Sequence, residues 1–589
     1  MKDELMIDSF PELIARPSIK IERYTAADAF MEAFEEAGVN FIFSNLGSDH
    51  PTIIESLAKA EVLDLPMPEI ILCPHESVAL SAAQGYTQVT GKPQAVFVHL
   101  DVGTQNLGGA VHNVFRARIP VLIFAGDTPY TVEGELQGSR NTPINFLQDI
   151  FDQRSIVRPY VKWEYELRTG QNVKQLLYRA LQIAQSDPKG PVYLMGAREV
   201  LEEEISPADI PYNGWSPIEP TALSNTDVKQ LAEDLVNANN PIIITSYLGR
   251  NHEAVAELIK LSDKLGIPVL EVNRSYVNFP SDHPLHLGFV PDAFVKDADL
   301  ILVLDCDVPW IPSKISPADN SKIYYVDIDP LKEKIPVWYT PSEKFLRVDS
   351  LVALQQINAQ ISEADIDKNK KDERYGRIHQ IHKSQRLEWK QKETLTDKVI
   401  TPEWLTACLN EVIDEDTIVL NETITNDLAV FQHLPRSKPG TLFTSGATSL
   451  GWHGGAAIGA KLAKPDKTVV ALTGDGTYLF SVPASVHWIA QKYNTPFLTI
   501  IYDNQGWNAT KQNVLRLHPN GVANQINRFW VNFDSPSDLA GIAAAAGGAY
   551  ARTVKEPDEL KEALLEGLNA VSEGRCAVID VRIKPISQK

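Results

Sequence analysis

Cysteine is scarce in this sequence: Cys73, Cys306, Cys408 and Cys576 lie far apart, with no C-x-x-C pair among them. Such spacing offers neither a disulfide framework nor a zinc site, and suits a chain kept reduced, as in the cytoplasm. Positive charge is in short supply too. Lys and Arg number 55 against 76 Asp and Glu, a net charge of −21. A partner as anionic as nucleic acid needs the basic footprint that is missing here. No apolar run approaches the ~20 residues that span a bilayer. The first stretch, MKDELMIDSFPELIARPSIK, carries charges throughout, unlike a secretory signal. No G-x-G-x-x-G follows a strand-like run, so a flavin- or nicotinamide-dependent oxidoreductase lacks its usual sign.

What remains is an ordinary globular composition, 44% hydrophobic over 589 residues, long enough for three or four domains. Residues 1–20 read as an N-terminal arm. From there a helix capped by Thr25 leads into strand-like runs at 41–43, 70–73, 95–100, 121–125 and 190–194, the makings of a first α/β domain over 21–195. A stretch rich in proline and turn residues follows. A second α/β domain over 222–355 has strands expected at 241–245, 268–272, 300–304 and 322–327. Residues 356–400 are highly charged and read as a solvated linker containing a helix. The third domain covers 401–583. Each pattern of alternating strands and helices implies a doubly wound parallel sheet.

The most informative stretch is 469–508. An apolar strand at 469–472 runs into Gly474-Asp475-Gly476; a helix over 482–493 and a second strand at 497–502 end in Asp503-Asn504-Gln505-Gly506. Polar residues thus stand at the carboxyl ends of two strands, where open α/β sheets bind ligands. Asp475 offers an anionic oxygen and Asn504 a neutral one, both suited to Mg²⁺, while the glycines let backbone approach a diphosphate. A second stretch, LCPHESVALSAAQGYTQVTG over 72–91, puts Glu76 at a helix N-terminus. Taken alone, that position is explained by capping and the helix dipole.

Together these motifs resemble the thiamine diphosphate (ThDP) enzymes of the acetolactate synthase, benzoylformate decarboxylase and pyruvate decarboxylase superfamily, closest in pattern to the benzoylformate decarboxylase-like branch. The resemblance implies three domains, binding the pyrimidine, forming a central unit, and binding diphosphate and metal. It implies that Asp475, Asn504 and the carbonyl of Gly506 hold Mg²⁺, with Gly474, Gly476 and Thr477 beside the cofactor. The family commonly ends the motif in Asn-Asn where this chain has Asp503-Asn504. Glu76 would contact the pyrimidine ring nitrogen, letting the cofactor act as its own proton relay. Leu450, in TSGATSLGWHGG, falls at the position of the apolar wedge that folds the cofactor, and Thr423 and Thr425, in LNETITNDL, match a turn on the diphosphate.

On the substrate side, the resemblance matches Ser48, His99 and His283 to active-site residues of benzoylformate decarboxylase. His75, next to Glu76, is instead a feature of the acetolactate synthase branch. His112, Asn106, Gln105 and His453 are further polar candidates, and Trp452, Trp488, Trp507 and Phe480 aromatic ones. A flavin (FAD) in the central domain is allowed by the resemblance but has no support in the sequence. The expected activity is cleavage or formation of a C–C bond next to a carbonyl: decarboxylation of a 2-oxo acid to an aldehyde first, carboligation second. The implied assembly is a homodimer or homotetramer with active sites at subunit interfaces. A non-catalytic or regulatory protein of the same fold is the contrasting class, and the joint presence of Glu76, Asp475 and Asn504 argues against it.

Overall fold

The computed structural model describes residues 21, 23–395, 398–533 and 537–586; the arm read at 1–20 lies outside them. The first helix, Ala26–Glu36, starts where Thr25 and Asp28 form a reciprocal capping box. Strands β1 (Phe41–Ser44), β2 (Glu69–Leu72), β3 (Gln94–Val98), β4 (Val121–Asp127), β5 (Trp163–Leu167) and β6 (Val192–Ala197) then build a parallel sheet of order β2-β1-β3-β4-β6-β5. The central sheet comprises β7 (Pro241–Thr245), β8 (Val269–Glu271), β9 (Leu300–Leu304), β10 (Lys322–Asp327) and β11 (Lys344–Arg347), ordered β11-β10-β9-β7-β8. The last sheet takes β12 (Ile418–Glu422), β13 (Leu442–Thr444), β14 (Val469–Gly474), β15 (Leu498–Asp503), β16 (Tyr550–Val554) and β17 (Ala577–Arg582), in the order β13-β12-β14-β15-β17-β16. Counted from its own first strand, that order is identical to the first sheet's. All pairings within the three sheets are parallel.

Interior strands such as β4, β9 and β15 are apolar along nearly their whole length because helices cover both faces of the sheet. Two of those helices occupy equivalent places in the first and last sheets: α1 (Glu76–Thr90) connects β2 to β3, and α2 (Trp452–Ala463) connects β13 to β14. They pack on each other through small residues. A Cβ on Gly85 would sit 2.3 Å from the Ala456 carbonyl oxygen, and one on Gly459 would sit 2.0 Å from that of Ala82. Backbones this close need glycine on the seam.

The charged segment after the central sheet forms a helix, Lys368–Gln391, that is less solvated than its composition implies. Arg374, Ile378, His382 and Trp389 are buried. Arg386 Nη2 reaches His286 Nδ1 at 2.7 Å, and His286 Nε2 stands 3.0 Å from Glu271 in a fully buried group with Arg274. Long polar side chains bury their stems and find partners for their heads. Among the described residues no helix is long and apolar enough to cross a membrane, and the four cysteines are buried and unpaired.

Candidate active site

In the first sheet, the chain leaves β1 for β2 in one direction and β3 for β4 in the other, opening a crevice at the carboxyl ends of β1 and β3. Glu76, the first residue of α1, is buried there. Asn45 Nδ2, just past β1, donates to Glu76 Oε1 at 2.9 Å, and Asn106 Nδ2 donates to Oε2. Each oxygen keeps a second lone pair for a further partner. The helix after β3 approaches so closely that a Cβ on Gly103 would lie 3.2 Å from Glu76 Oε1.

His99 and Ser48 belong to the same crevice. Ser48 is exposed on the loop after β1, its carbonyl accepting from Arg198 Nη1 at 3.3 Å. His99 follows β3, with Nδ1 2.5 Å from Asp49 Oδ1 and Nε2 3.2 Å from Gln148 Oε1. Burial works against the Asp49 carboxylate, but His50 and His99 beside it more than offset that and hold it well below the usual carboxylate range. The hydrogen bond to Asp49 in turn raises the His99 pKa, burial opposing it. Asn45, Asp49 and Gln148 went unread in the sequence. Asn45 and Asp49 lie in the SNLGSDHP turn that yielded Ser48, and Gln148 has no local signal at all.

The last sheet opens the equivalent crevice at the ends of β12 and β14. Asp475 begins the short helix Asp475–Phe480 and accepts the Gly506 N–H at 2.8 Å. Burial, and then the facing Asp503 carboxylate, push the Asp475 pKa well up. Asp580 on β17 is raised in the same way, and Arg582 pairs with both Asp503 and Asp580. Asn504 is buried and its Oδ1 has no hydrogen-bond partner among the described residues. A Cβ on Gly474 would meet only Thr477 Oγ1, at 3.9 Å, so this turn is open to close approach, whereas one on Gly476 would strike the Trp507 ring. A surplus of buried carboxylate beside an unpartnered amide oxygen fits a hard divalent cation. Among the described residues no cluster of three or more His, Cys, Asp or Glu is placed to hold a metal, so such a site draws on the amide and backbone oxygens.

Thr423 is buried, its hydroxyl bonded to Asn421 and Asp427, and burial raises Asp427 to about 6. Thr425 is exposed on the following turn, where Ile424 adopts φ +55°, a strained value for a β-branched residue. A cavity of about 690 Å³ lies beside this turn, lined by Tyr247, Arg274, Asn421, Ile424 and Thr448 among others. Leu450 is half-buried between Ser449, which exchanges hydrogen bonds with Asn113, and Gly451 at φ +91°.

Other residues fall elsewhere. His283 is on the central unit, its Nε2 3.3 Å from Asp263 and its ring against Phe279; none of these partners belongs to either crevice. His453 is buried against Glu422, whose oxygens also accept the Trp452 and His453 N–H groups and so cap α2. Trp452 is core, Phe480 and Trp488 are exposed, and Trp507 packs edge-on against Phe533. At the ends of β7 and β9 the central crevice holds the chain's own ion pairs, Lys332 with Asp327 and Asp307, Arg118 with Asp307, and Arg250 with Asp305. These cations are already paired within the chain, so the flavin reading gains no support from them.

Three family descriptions match the chain: thiamine pyrophosphate enzyme, N-terminal TPP binding domain, at 24–156; central domain, at 228–342; and C-terminal TPP binding domain, at 425–581. A probable acetolactate synthase large subunit of Methanococcus aeolicus is 25% identical over 92% of this chain and 90% of its own length. The benzoylformate decarboxylase of Pseudomonas aeruginosa is 24% identical over 83% of this chain and 87% of its own. Among solved structures, benzoylformate decarboxylase from Polynucleobacter necessarius superposes with a TM-score of 0.78 at 21% identity, over 96% of this chain and all of its own. The thiamine diphosphate-dependent 4-hydroxybenzoylformate decarboxylase of Rhodococcus jostii RHA1 gives 0.77 at 21%, with the same coverage.

Proposed function

The chain belongs to the thiamine pyrophosphate enzymes, and from that premise we propose a Mg²⁺- and ThDP-dependent decarboxylation of a 2-oxo acid, which takes up one proton and yields an aldehyde and CO₂. The observation that carries this reading is the pair of half-finished sites. Glu76 has spare lone pairs in one crevice, and Asp475 and the unpartnered Asn504 Oδ1 stand in the other. When bound, ThDP supplies a nucleophilic carbon and an electron sink next to the cleaved bond. Glu76 would hold a proton between one carboxyl oxygen and the pyrimidine ring. Asp475, Asn504 and the Gly506 carbonyl would hold the metal, with Gly474, Gly476, Thr477, Thr423 and Thr425 around the diphosphate. Leu450 would orient the cofactor. Ser48 would orient the substrate, and His99 would deliver the proton that ends the reaction. The same resemblance makes His283 the alternative proton donor.

The family resemblance supports a homodimer or homotetramer with sites shared between subunits. The row of exposed Phe146, Leu147, Ile150 and Phe151 suits such an interface. Domain limits of 21–195, 222–355 and 401–583, a linker over 356–400 and a cytoplasmic location belong to this reading. Likeness to acetolactate synthase favours a second reaction from the same site, carboligation to an acetohydroxy acid or 2-hydroxy ketone.

Calorimetric titration of metal-stripped protein with ThDP tests the proposal. Binding should require Mg²⁺ and weaken at least roughly 100-fold in Asp475→Ala, about 2.7 kcal/mol. A panel of 2-oxo acids scored for CO₂ and for coupled products then separates the two reactions. ThDP binding indifferent to Mg²⁺ would sink the cofactor assignment.

A further inference from the structure

Two glycines clear space around Asp49 and His99. A Cβ on Gly126 would lie 1.9 Å from Asp49 Oδ2, and one on Gly47 would lie 2.1 Å from His99 Nδ1. Asp49 is buried, with Oδ1 2.5 Å from His99 Nδ1 and Oδ2 accepting the Leu100 N–H at 3.1 Å. His50 Nδ1 also lies 2.9 Å from Asp49 Oδ1, but it takes the Gly47 N–H at 3.1 Å, so His99 is the better donor. On its other side, His99 Nε2 stands 3.2 Å from the side-chain oxygen of Gln148, itself buried. Both ring nitrogens therefore face an acceptor, and only a doubly protonated imidazole can donate to both.

We infer that Asp49 is a positioning residue which, with Gln148 as second acceptor, locks the His99 ring and keeps it an imidazolium at neutral pH, an acid rather than a base; its role in turnover rests on the reaction proposed above. The raised His99 pKa agrees with this. The charged groups around the ring are Asp49, with His50 beside it on the loop after β1, and Asp101 on its own helix. An imidazolium here suits both jobs the crevice needs: attracting a substrate carboxylate and giving up a proton once CO₂ has left. The orientation of the Gln148 amide matters. Reversed, its NH₂ would donate to Nε2 and leave His99 neutral.

The test reads the ring nitrogens directly, with no substrate present. In protein labelled with ¹⁵N-histidine, the His99 signals are identified by their loss in His99→Gln. Wild type should show both nitrogens protonated at pH 7 and a titration above that of free imidazole. Asp49→Asn, which keeps every heavy-atom position, should lower that titration, and Gln148→Leu should lower it less. A wild-type His99 with one bare nitrogen at pH 7 overturns the inference, and so does a titration that Asp49→Asn leaves unmoved. If Asp49→Asn fails to fold, judged by its melting curve, the wild-type spectrum decides alone. In turnover, Asp49→Asn should lose roughly 100-fold in kcat and recover in part as the assay pH is lowered, because the alkaline limb moves to lower pH. A purely structural role would move neither the titration nor that limb. Spectra as expected in a protein that turns over no 2-oxo acid would leave the imidazolium standing and remove the reaction.

Discussion

In the first sheet, the carboxyl at the crevice, Glu76, has both oxygens taken by amide groups. In the last sheet, at the crevice opened by the same strand order, Asp475 faces Asp503, and Asp503 and Asp580 share one guanidinium, that of Arg582. The protein has given each oxygen of the first carboxyl one neutral donor and has left the second group short of positive charge. One scaffold, used twice, therefore makes two half-sites of opposite character. In the function proposed above, the first would pass a proton and the second would hold a cation and the phosphates it carries. Strand order alone decides where the crevice opens. The few side chains that end each strand decide what it can do.

The largest effect should come from cutting the first half-site alone. Glu76→Gln is expected to lower turnover roughly 10³-fold while leaving Mg²⁺-dependent ThDP binding within a few-fold of wild type by calorimetry. A variant with wild-type turnover would end the division of labour drawn here. Next comes the seam that the two halves share. Gly459→Val drives a side chain into the Ala82 carbonyl and should cost about 3 kcal/mol, seen as a lower melting temperature with loss of both ThDP affinity and turnover. If only one of the two activities fell, the halves would not be coupled through α1 and α2. The mildest is Asn45→Ala. Glu76 loses one of two donors to its charge, an interaction worth roughly 1.5 kcal/mol or more, so kcat should fall about tenfold with Mg²⁺ affinity unchanged. An equal loss of metal affinity would show that Asn45 serves both sites.

The fold class and the main groups of each half-site were legible because they are local. Asp475 and Asn504 are set by a strand–helix–strand spacing, and Glu76 by a helix start. Interior strands announce themselves as continuous apolar runs. The edge strands β5, β11, β13 and β16 carry no such run: WEYEL, KFLR, LFT and YARTV are short or half-exposed, and the apolar part of β12 is only Ile418–Leu420. The repeated strand order was invisible for a different reason. It is fixed by which strands pair, and no likeness of residues is needed to preserve it. Asn45, Asp49 and Gln148 matter through contacts formed only when distant segments meet, as when Gln148 crosses 49 residues to reach His99. His453 and Trp452 lie buried, because aromatic and imidazole side chains near a motif fill a core as readily as they line a pocket.

The glycine seam between α1 and α2 also bears on how such a protein can change over generations. Insertions at loop tips are absorbed locally, and pocket walls can drift one residue at a time. A seam with no spare volume behaves differently. Any mutation there that adds bulk is felt by both helices, and so by the segment bearing Glu76 and the one following Leu450 together. Change at the rim is thereby easier to accommodate than change along this seam.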